Sequence, residues 1–171
     1  MTETTDYPYT RDAEIAAGIR QLVTASGTNS RDHGFHDDWP KLRSAPFDEE
    51  VEGHQSAVRR AIAEKLALVH EEVSEMLGEI RSGHDPLETY YVDHKGKVGT
   101  AGLIYEEQRY DADGTPLLKP EGFLVEAADA IIRLADLAFL VGDKSGEKLA
   151  FAQRIKAEYN STRPYKHGRK F

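Results

Sequence analysis

Apolar residues recur at helical spacing along four stretches of the chain. The pattern predicts helices over about 11–25, 58–81, 119–142 and 145–160. Polar segments that contain turn-forming residues separate these stretches. The chain is therefore predicted to belong to the all-α class, with its helices packed as an antiparallel bundle.

The two longest polar segments carry different signals. SGTNSRDHGFHDDWPK, at 26–41, is rich in turn formers and is predicted to be an ordered loop. The segment 84–118 contains ETYYVDH and GLIYEEQRY, which resemble short strands, and Asp113-Gly114, a hairpin-turn signal. We therefore expect a small extended or β-hairpin insertion around 84–118 within a single domain that covers residues 1–171.

The helix predicted at 119–142 is apolar on most of its circumference, yet it carries a charged stripe. This stripe consists of Glu126, Asp129, Arg133 and Asp136. At about 100° per residue the four side chains fall within an arc of about 80°, so they project from one face. A helix with so much apolar surface needs more partner helices than one short chain supplies, which predicts an obligate homo-oligomer.

The helix predicted at 58–81 carries a matching acidic stripe. It consists of Glu71, Glu72, Glu75 and Glu79, beside the apolar face of the helix. If the two stripes face each other, the carboxylates repel and lose solvation, so they take up protons or attract cations. Mg²⁺ prefers carboxylate oxygens, and the stripes therefore predict a metal site. Its predicted ligands are Glu72, Glu75, Glu126 and Asp129.

A plainer interpretation applies to each stripe taken alone. Charges three or four residues apart usually lie on a solvated helix face. The carboxylates could also form ion pairs with Arg133, Lys65 or Arg154. The alternative function is thus a non-catalytic helical assembly protein whose acidic stripes are structural ion pairs.

Charge and composition narrow the function classes. The net charge of −8 disfavours binding to long DNA or RNA, because such a surface repels a phosphate backbone. The absence of cysteine excludes disulfides, thiolate zinc sites and a cysteine nucleophile. No apolar run is long enough to suggest a membrane partner, and MTETTDYPYT lacks the features of a signal peptide. These features predict a cytoplasmic protein, or one in the host cytoplasm if a phage encodes it.

His36-Asp37 resembles the central dyad of HD-type metal phosphohydrolases. That dyad belongs on a helix, whereas Gly34 and Trp39-Pro40 predict a loop here. The dyad is therefore the weaker of the two metal hypotheses.

Both acidic stripes are similar to a family signature. HEEVSEM, at 70–76, followed by PEGFLVEAADAIIRLADLA resembles the EExxE…ExxD signature of the MazG-like all-α nucleoside triphosphate pyrophosphohydrolases. GFHDDW and KAEYNSTRPYKHGRKF also resemble the segments that flank this signature in small MazG-like proteins. The gap between the two motifs is longer here than is usual in the family, because of the segment 84–118.

The resemblance implies an α-helical homodimer or homotetramer that hydrolyses (deoxy)nucleoside triphosphates to the monophosphate and pyrophosphate. The implied cofactor is Mg²⁺, for which Mn²⁺ is a substitute. Carried over by position, the metal ligands are again Glu72, Glu75, Glu126 and Asp129. Glu71 and Glu75 are the candidates for the catalytic group that accepts a proton from the attacking water.

Nucleotide-binding residues are also predicted: the resemblance implies Lys156, Asn160 and Arg163, and the chemistry of the reaction adds the others. The candidates are Phe35, Trp39, Lys156, Asn160, Arg163 and Lys166. Phe35 and Trp39 would stack on the base, and the basic residues would bind the phosphates. The plainer interpretations are that Trp39 is a packing residue and that the basic tail is a solvated terminus.

Overall fold

The computed structural model of the protein describes residues 8–39, 54–92 and 119–164. In chain order its elements are α1 (Pro8–Asp32), α2 (His54–Ser82), β1 (Tyr90–Val92), β2 (Lys119–Glu121), α3 (Phe123–Leu140) and α4 (Glu147–Ser161). The prediction of a mostly helical chain is confirmed. No helix in these ranges combines the length and apolar character that crossing a membrane requires.

The described residues form two compact units. The first contains the residues up to Ile62 and those from Leu134 onward, and the second runs from Ala63 to Arg133. Each unit is internally packed. The antiparallel bundle and the single domain stay predictions.

The core of the first unit forms between α1 and the C-terminal part of α3. Val23, Ala135 and Phe139 are buried there. The start of α4 approaches α1 closely, because a Cβ added at Gly146 would lie 2.8 Å from the Arg20 Cα. Gly146 also has a φ of 72°, which favours glycine.

Helix α1 extends further than the sequence pattern predicts. It continues through 26–32, so the prediction of a loop over 26–41 is wrong for this part, and turns begin only at His33. The reason is a tertiary contact: a Cβ added at Gly27 would lie 2.0 Å from the Phe139 Cγ. The small residues that suggest a loop instead let the α3 side chain pack against a helix.

Helix α2 begins at His54, four residues before the predicted start, and ends at Ser82 as expected before Gly83. Gly83 has a φ of 85°, a left-handed conformation that suits a helix C-terminus. The Gly83 amide donates to the Ile80 carbonyl at 3.2 Å, and the His84 amide donates to the Glu79 carbonyl at 3.2 Å. These two hydrogen bonds form a Schellman motif that closes the helix.

A two-stranded antiparallel hairpin connects to α3. Tyr90 pairs with Glu121, and Val92 pairs with Lys119. β1 lies within ETYYVDH, as predicted, but its partner is 119–121, which the sequence pattern assigns to a helix. That assignment is wrong because strand pairing holds these residues, and α3 begins only at Phe123. GLIYEEQRY and the Asp113-Gly114 turn lie outside the described residues.

Candidate metal centre

The second unit brings together three of the four predicted metal ligands. Glu72 on α2 and Glu126 and Asp129 on α3 each offer one carboxylate oxygen, and these oxygens lie within 4.8 Å of one another. Glu126 and Asp129 are three residues apart, so the helix projects them from the same face. Glu126 is also in the first turn of α3, where the helix dipole stabilises negative charge.

The three carboxylates are removed from water to different degrees. Glu126 is only 2% exposed and Glu72 only 4%, whereas Asp129 is half-buried. The Oε2 atom of Glu126 is buried and has no hydrogen-bond partner among the described residues. Because buried polar atoms are almost always paired in native structures, this oxygen indicates a missing proton donor or cation.

Burial raises the pKa of Glu126 to about 8, and a hydrogen bond with Glu121 and the negative charges of Glu121 and Glu75 add to that effect. Burial also raises the pKa of Asp129, with the charge of Glu72 as the next cause. Lys119 opposes both pKa shifts. In the absence of a cation, the protonated form of Glu126 is therefore favoured up to a pH of about 8.

These residues fit a hard divalent cation. They supply three carboxylate oxygens from two helices, one of them without a partner. Carboxylates are the ligands that Mg²⁺ prefers, and Mg²⁺ keeps several of its waters, so three protein oxygens are sufficient.

Arg133 forms an ion pair with one member of this cluster. Its Nε atom donates a hydrogen bond to Glu72 Oε1 at 2.5 Å. The side chain of Glu72 is 5% exposed, whereas that of Arg133 is 40% exposed. Arg133 also acts on Asp129, whose pKa it lowers against the larger effect of burial.

The hairpin adds a second cation and a fourth carboxylate. Lys119 Nζ lies 2.9 Å from Glu121 Oε1, and this hydrogen bond is the main reason that the pKa of Lys119 is raised. The negative charges of Glu126 and Glu75 also raise it. Sequence reasoning missed Lys119 and Glu121, because no periodic pattern reveals that strand pairing brings β2 to this cluster.

Glu79 has a structural partner. The Tyr90 hydroxyl donates to Glu79 Oε1 at 3.0 Å, and the His84 ring stacks on Tyr90 with centroids 4.6 Å apart. Burial, together with the hydrogen bond and charge of Glu79, raises the pKa of Tyr90 to about 12. This residue of the acidic stripe therefore attaches the end of α2 to the hairpin.

The two predicted catalytic carboxylates are not part of the cluster. Glu71 and Glu75 are exposed on α2, and neither is among the three converging residues. Glu75 is near enough for its charge to raise the pKa of Glu126. Their roles as proton acceptors, and that of Glu75 as a ligand, stay predictions.

The predicted nucleotide-binding residues belong to the first unit. They are Phe35, Trp39, Lys156, Asn160 and Arg163, whereas Lys166 lies outside the described residues. Lys156 and Arg163 both contact the face of Tyr159, with Nζ and Cζ at 5.2 and 5.3 Å from the ring centroid. Phe35 is 68% exposed, and Trp39 is half-buried. Their roles in binding nucleotide stay predictions.

Asp136 belongs to the charged stripe in the sequence, but it is not part of the carboxylate cluster. In the first unit its Oδ1 atom lies 2.6 Å from His36 Nε2, and both side chains are buried. The His36 ring also stacks on Phe139, with centroids 5.9 Å apart. The charged stripe of α3 therefore divides: Glu126, Asp129 and Arg133 belong to the carboxylate cluster, and Asp136 fixes the turn that follows α1.

A groove of about 730 Å³ runs along one face of α1 in the first unit. Its lining extends from Arg20 to Asp32 and contains none of the three clustered carboxylates. The acidic chemistry and this groove are thus separate features of the chain.

Comparison of the chain with protein-family models, curated protein sequences and solved structures returned no match. A function for the protein can therefore be inferred only from the residues of this chain and from the geometry of the cluster.

Proposed function

We propose that the protein is a Mg²⁺-dependent nucleoside triphosphate pyrophosphohydrolase of the MazG-like all-α type. The observation that carries the proposal is the convergence of Glu72, Glu126 and Asp129, with a buried Glu126 oxygen that lacks a partner among the described residues. The resemblance of both motifs to EExxE…ExxD supplies the type of reaction.

The three clustered residues would hold the cation, and Glu75 is the further predicted ligand. A bound Mg²⁺ would offset the charge of the triphosphate and lower the pKa of the attacking water. For the cation to bind, Glu126 must lose the proton that its raised pKa favours. Either Glu71 or Glu75, both of which are exposed on α2, accepts the proton of the attacking water.

The reaction balances with water as the only co-reactant. The water oxygen forms a bond to the α-phosphorus, and the bond from the α-phosphorus to the oxygen that bridges to the β-phosphorus breaks. Pyrophosphate leaves with that electron pair, and the proton from water passes to the carboxylate and then to solvent. Basic residues near the C-terminus, Arg163 and Lys166, are the predicted ligands of the departing phosphates.

The test is to incubate the purified protein with each deoxynucleoside and ribonucleoside triphosphate and Mg²⁺. Pyrophosphate and the monophosphate should appear in equal amounts, without orthophosphate. Asp129→Asn should lose at least about a hundredfold in turnover, as expected when a group that stabilises transition-state charge is removed. Glu158→Gln is the matched control, because Glu158 pairs only with Arg154 in the exposed face of α4 among the described residues. Absence of turnover with every nucleotide would refute the proposal.

One observation favours the alternative of a non-catalytic helical assembly protein. Arg133 and Glu72 form an ion pair between two helices, as that alternative requires. The two functions differ at Glu126, which has no cationic partner among the described residues. In the enzyme, Glu126→Gln relieves repulsion and stabilises the metal-free chain, but abolishes binding of Mg²⁺. In a structural protein, Mg²⁺ changes the stability of neither form.

A further inference from the structure

Arg133 shares a helix face with two of the candidate ligands. It follows Asp129 by four residues and Glu126 by seven, so all three side chains project toward the same side of α3. From this position Arg133 donates its Nε hydrogen to Glu72. The guanidinium is thus paired with one of the three carboxylates that would bind a cation.

The charges of this group leave room for one divalent cation. Three carboxylates, when ionised, carry three negative charges, and the Arg133 guanidinium cancels one of them. A cation that binds the cluster is therefore repelled by the Arg133 guanidinium, which is already paired with Glu72. Because Glu72 is only 5% exposed, little water screens the repulsion between the two cations.

Glu72 and Arg133 differ in their freedom to move. Glu72 is enclosed, whereas the Arg133 side chain is 40% exposed and has solvent to move into. A guanidinium offers paired N–H donors in a planar fork that match phosphate oxygens as well as carboxylate oxygens. A triphosphate that arrives with a cation would therefore supply Arg133 with a replacement partner.

We propose that Arg133 is an exchangeable counter-ion: it binds Glu72 while the cluster holds no cation, and it transfers to a substrate phosphate when the cation–triphosphate complex enters. The inference rests on the proposed function. It gives a role to Arg133, a residue outside the two acidic motifs. Arg133 weakens the binding of the cation alone, and it contacts a phosphate of the substrate.

An orienting role for Arg133 makes the opposite prediction. If the guanidinium only held Glu72 in position, its removal would weaken cation binding, because a carboxylate free to rotate loses entropy when it binds. If Arg133 competes with the cation, its removal strengthens binding. The sign of the change in affinity for the metal alone therefore separates the two roles.

The experiment is a titration of the full chain with Mn²⁺ in the absence of nucleotide, followed by electron paramagnetic resonance of the free ion. Arg133→Gln should bind Mn²⁺ about tenfold more tightly than the wild-type chain, within the range of coupling between neighbouring charged groups. Arg133→Lys keeps the positive charge and should stay close to wild type. Arg154→Gln is the matched control, because Arg154 pairs with Glu158 on an exposed surface.

A double-mutant cycle assigns the effect to Glu72. Glu72→Gln removes a ligand and should weaken binding of Mn²⁺. On that background Arg133→Gln should increase the affinity less than it does in the wild type, because the competition for Glu72 is gone and only the repulsion between the guanidinium and the cation remains. Circular dichroism of each variant verifies that the helices form.

Steady-state kinetics test the second half of the proposal. At saturating Mg²⁺, Arg133→Gln should raise the KM for the nucleotide about tenfold, as expected when a charge-assisted contact is lost. The KM of Arg133→Lys should lie between those of the wild type and Arg133→Gln, since an ammonium keeps the charge but cannot form the paired contact.

The outcomes distinguish this inference from the proposed function. If the wild-type chain turns over nucleotide but Arg133→Gln binds Mn²⁺ with equal or lower affinity, the exchange is refuted and the pyrophosphohydrolase stands. If Mn²⁺ binds more tightly to Arg133→Gln but KM is unchanged, the transfer to phosphate is wrong. If no variant binds Mn²⁺ in the absence of nucleotide, the exchange is refuted, and the turnover assay decides the proposed function separately.

Discussion

Glu126 combines three unfavourable conditions in one carboxyl group. It is 2% exposed, one of its oxygens has no partner among the described residues, and the charges of Glu121 and Glu75 act on it. Burial and repulsion favour the protonated form, whereas a divalent cation favours the ionised form. Protons and cations therefore compete at this residue.

The pKa of Glu126 predicts how stability depends on pH without metal. The folded value is about 8 and the ordinary value is 4.5, so between them the folded chain holds a proton that the unfolded chain releases. The contribution of Glu126 to the free energy of unfolding is fully present below the ordinary value. It is lost as the pH rises to the folded value.

Thermal melts in EDTA at several pH values, for the wild type and Glu126→Gln, isolate this contribution. The difference in stability between them should shift in favour of Glu126→Gln as the pH rises. Added Mg²⁺ should stabilise the wild type more at high pH than at low pH, because fewer protons compete with it. A difference that does not change with pH would contradict the assigned pKa.

At the scale of elements, contacts between them overrule local preferences. Gly27 is a poor helix former, yet α1 continues through it because Phe139 packs directly against its backbone. Likewise, strand pairing with β1 holds 119–121 out of the helix that follows. In both cases a contact far away in sequence decides the local structure.

Gly27→Ala should destabilise the protein. The added methyl would overlap the Phe139 ring, and overpacking of this kind costs about 1–3 kcal/mol. Gly18→Ala is the control on the same helix, since a Cβ there meets nothing within 4 Å. That change should stabilise by about 0.5–1 kcal/mol, because alanine favours a helix over glycine. Urea denaturation measures the free energy of unfolding of both variants. A change of the same sign in the two would contradict the contact between Gly27 and Phe139.

Tyr90→Phe should loosen the attachment of the hairpin to α2. It removes the hydrogen bond to Glu79, whose other oxygen is buried and has no partner among the described residues. The expected loss is about 1–3 kcal/mol, the cost of leaving a buried polar group unsatisfied. Tyr91→Phe is the control, because neighbouring strand residues point to opposite faces. Similar urea midpoints for the two variants would show that the hydrogen bond contributes little.

At the scale of the whole molecule, apolar surface is left exposed on several helices. On α3, Ile131 is 52% exposed and Leu134 is 46% exposed, and on α2 Val73 is 52% exposed. Apolar surface of this extent on regular helices suggests association with other copies of the chain. The structure describes a single chain, so the homo-oligomer stays a prediction.

Light scattering at micromolar concentration should give the mass of a dimer or a tetramer. Ile131→Arg places a charge in the exposed apolar surface of α3 and should shift the mass toward the monomer, with helix content retained. Leu87→Arg is the control: Leu87 is 80% exposed in the turn after α2, and the mass should stay unchanged. A monomeric wild-type chain would exclude the oligomer.

The sequence alone was sufficient for features that depend on local spacing. The positions of four helices follow from apolar periodicity, with ends displaced by one to seven residues. The pairing of Glu126 with Asp129 on one face follows from the helical repeat, which any chain in that conformation obeys. Such features need no knowledge of distant residues.

Only the tertiary structure decided which partners these residues meet. Arg133 and Asp136 are three residues apart on one helix face, yet Arg133 pairs with Glu72 and Asp136 with His36. The hairpin brings Glu121 beside Glu126, and Phe139 keeps Gly27 helical. These contacts join residues far apart in sequence, and packing selects them because each charged or polar group that loses water must find a partner.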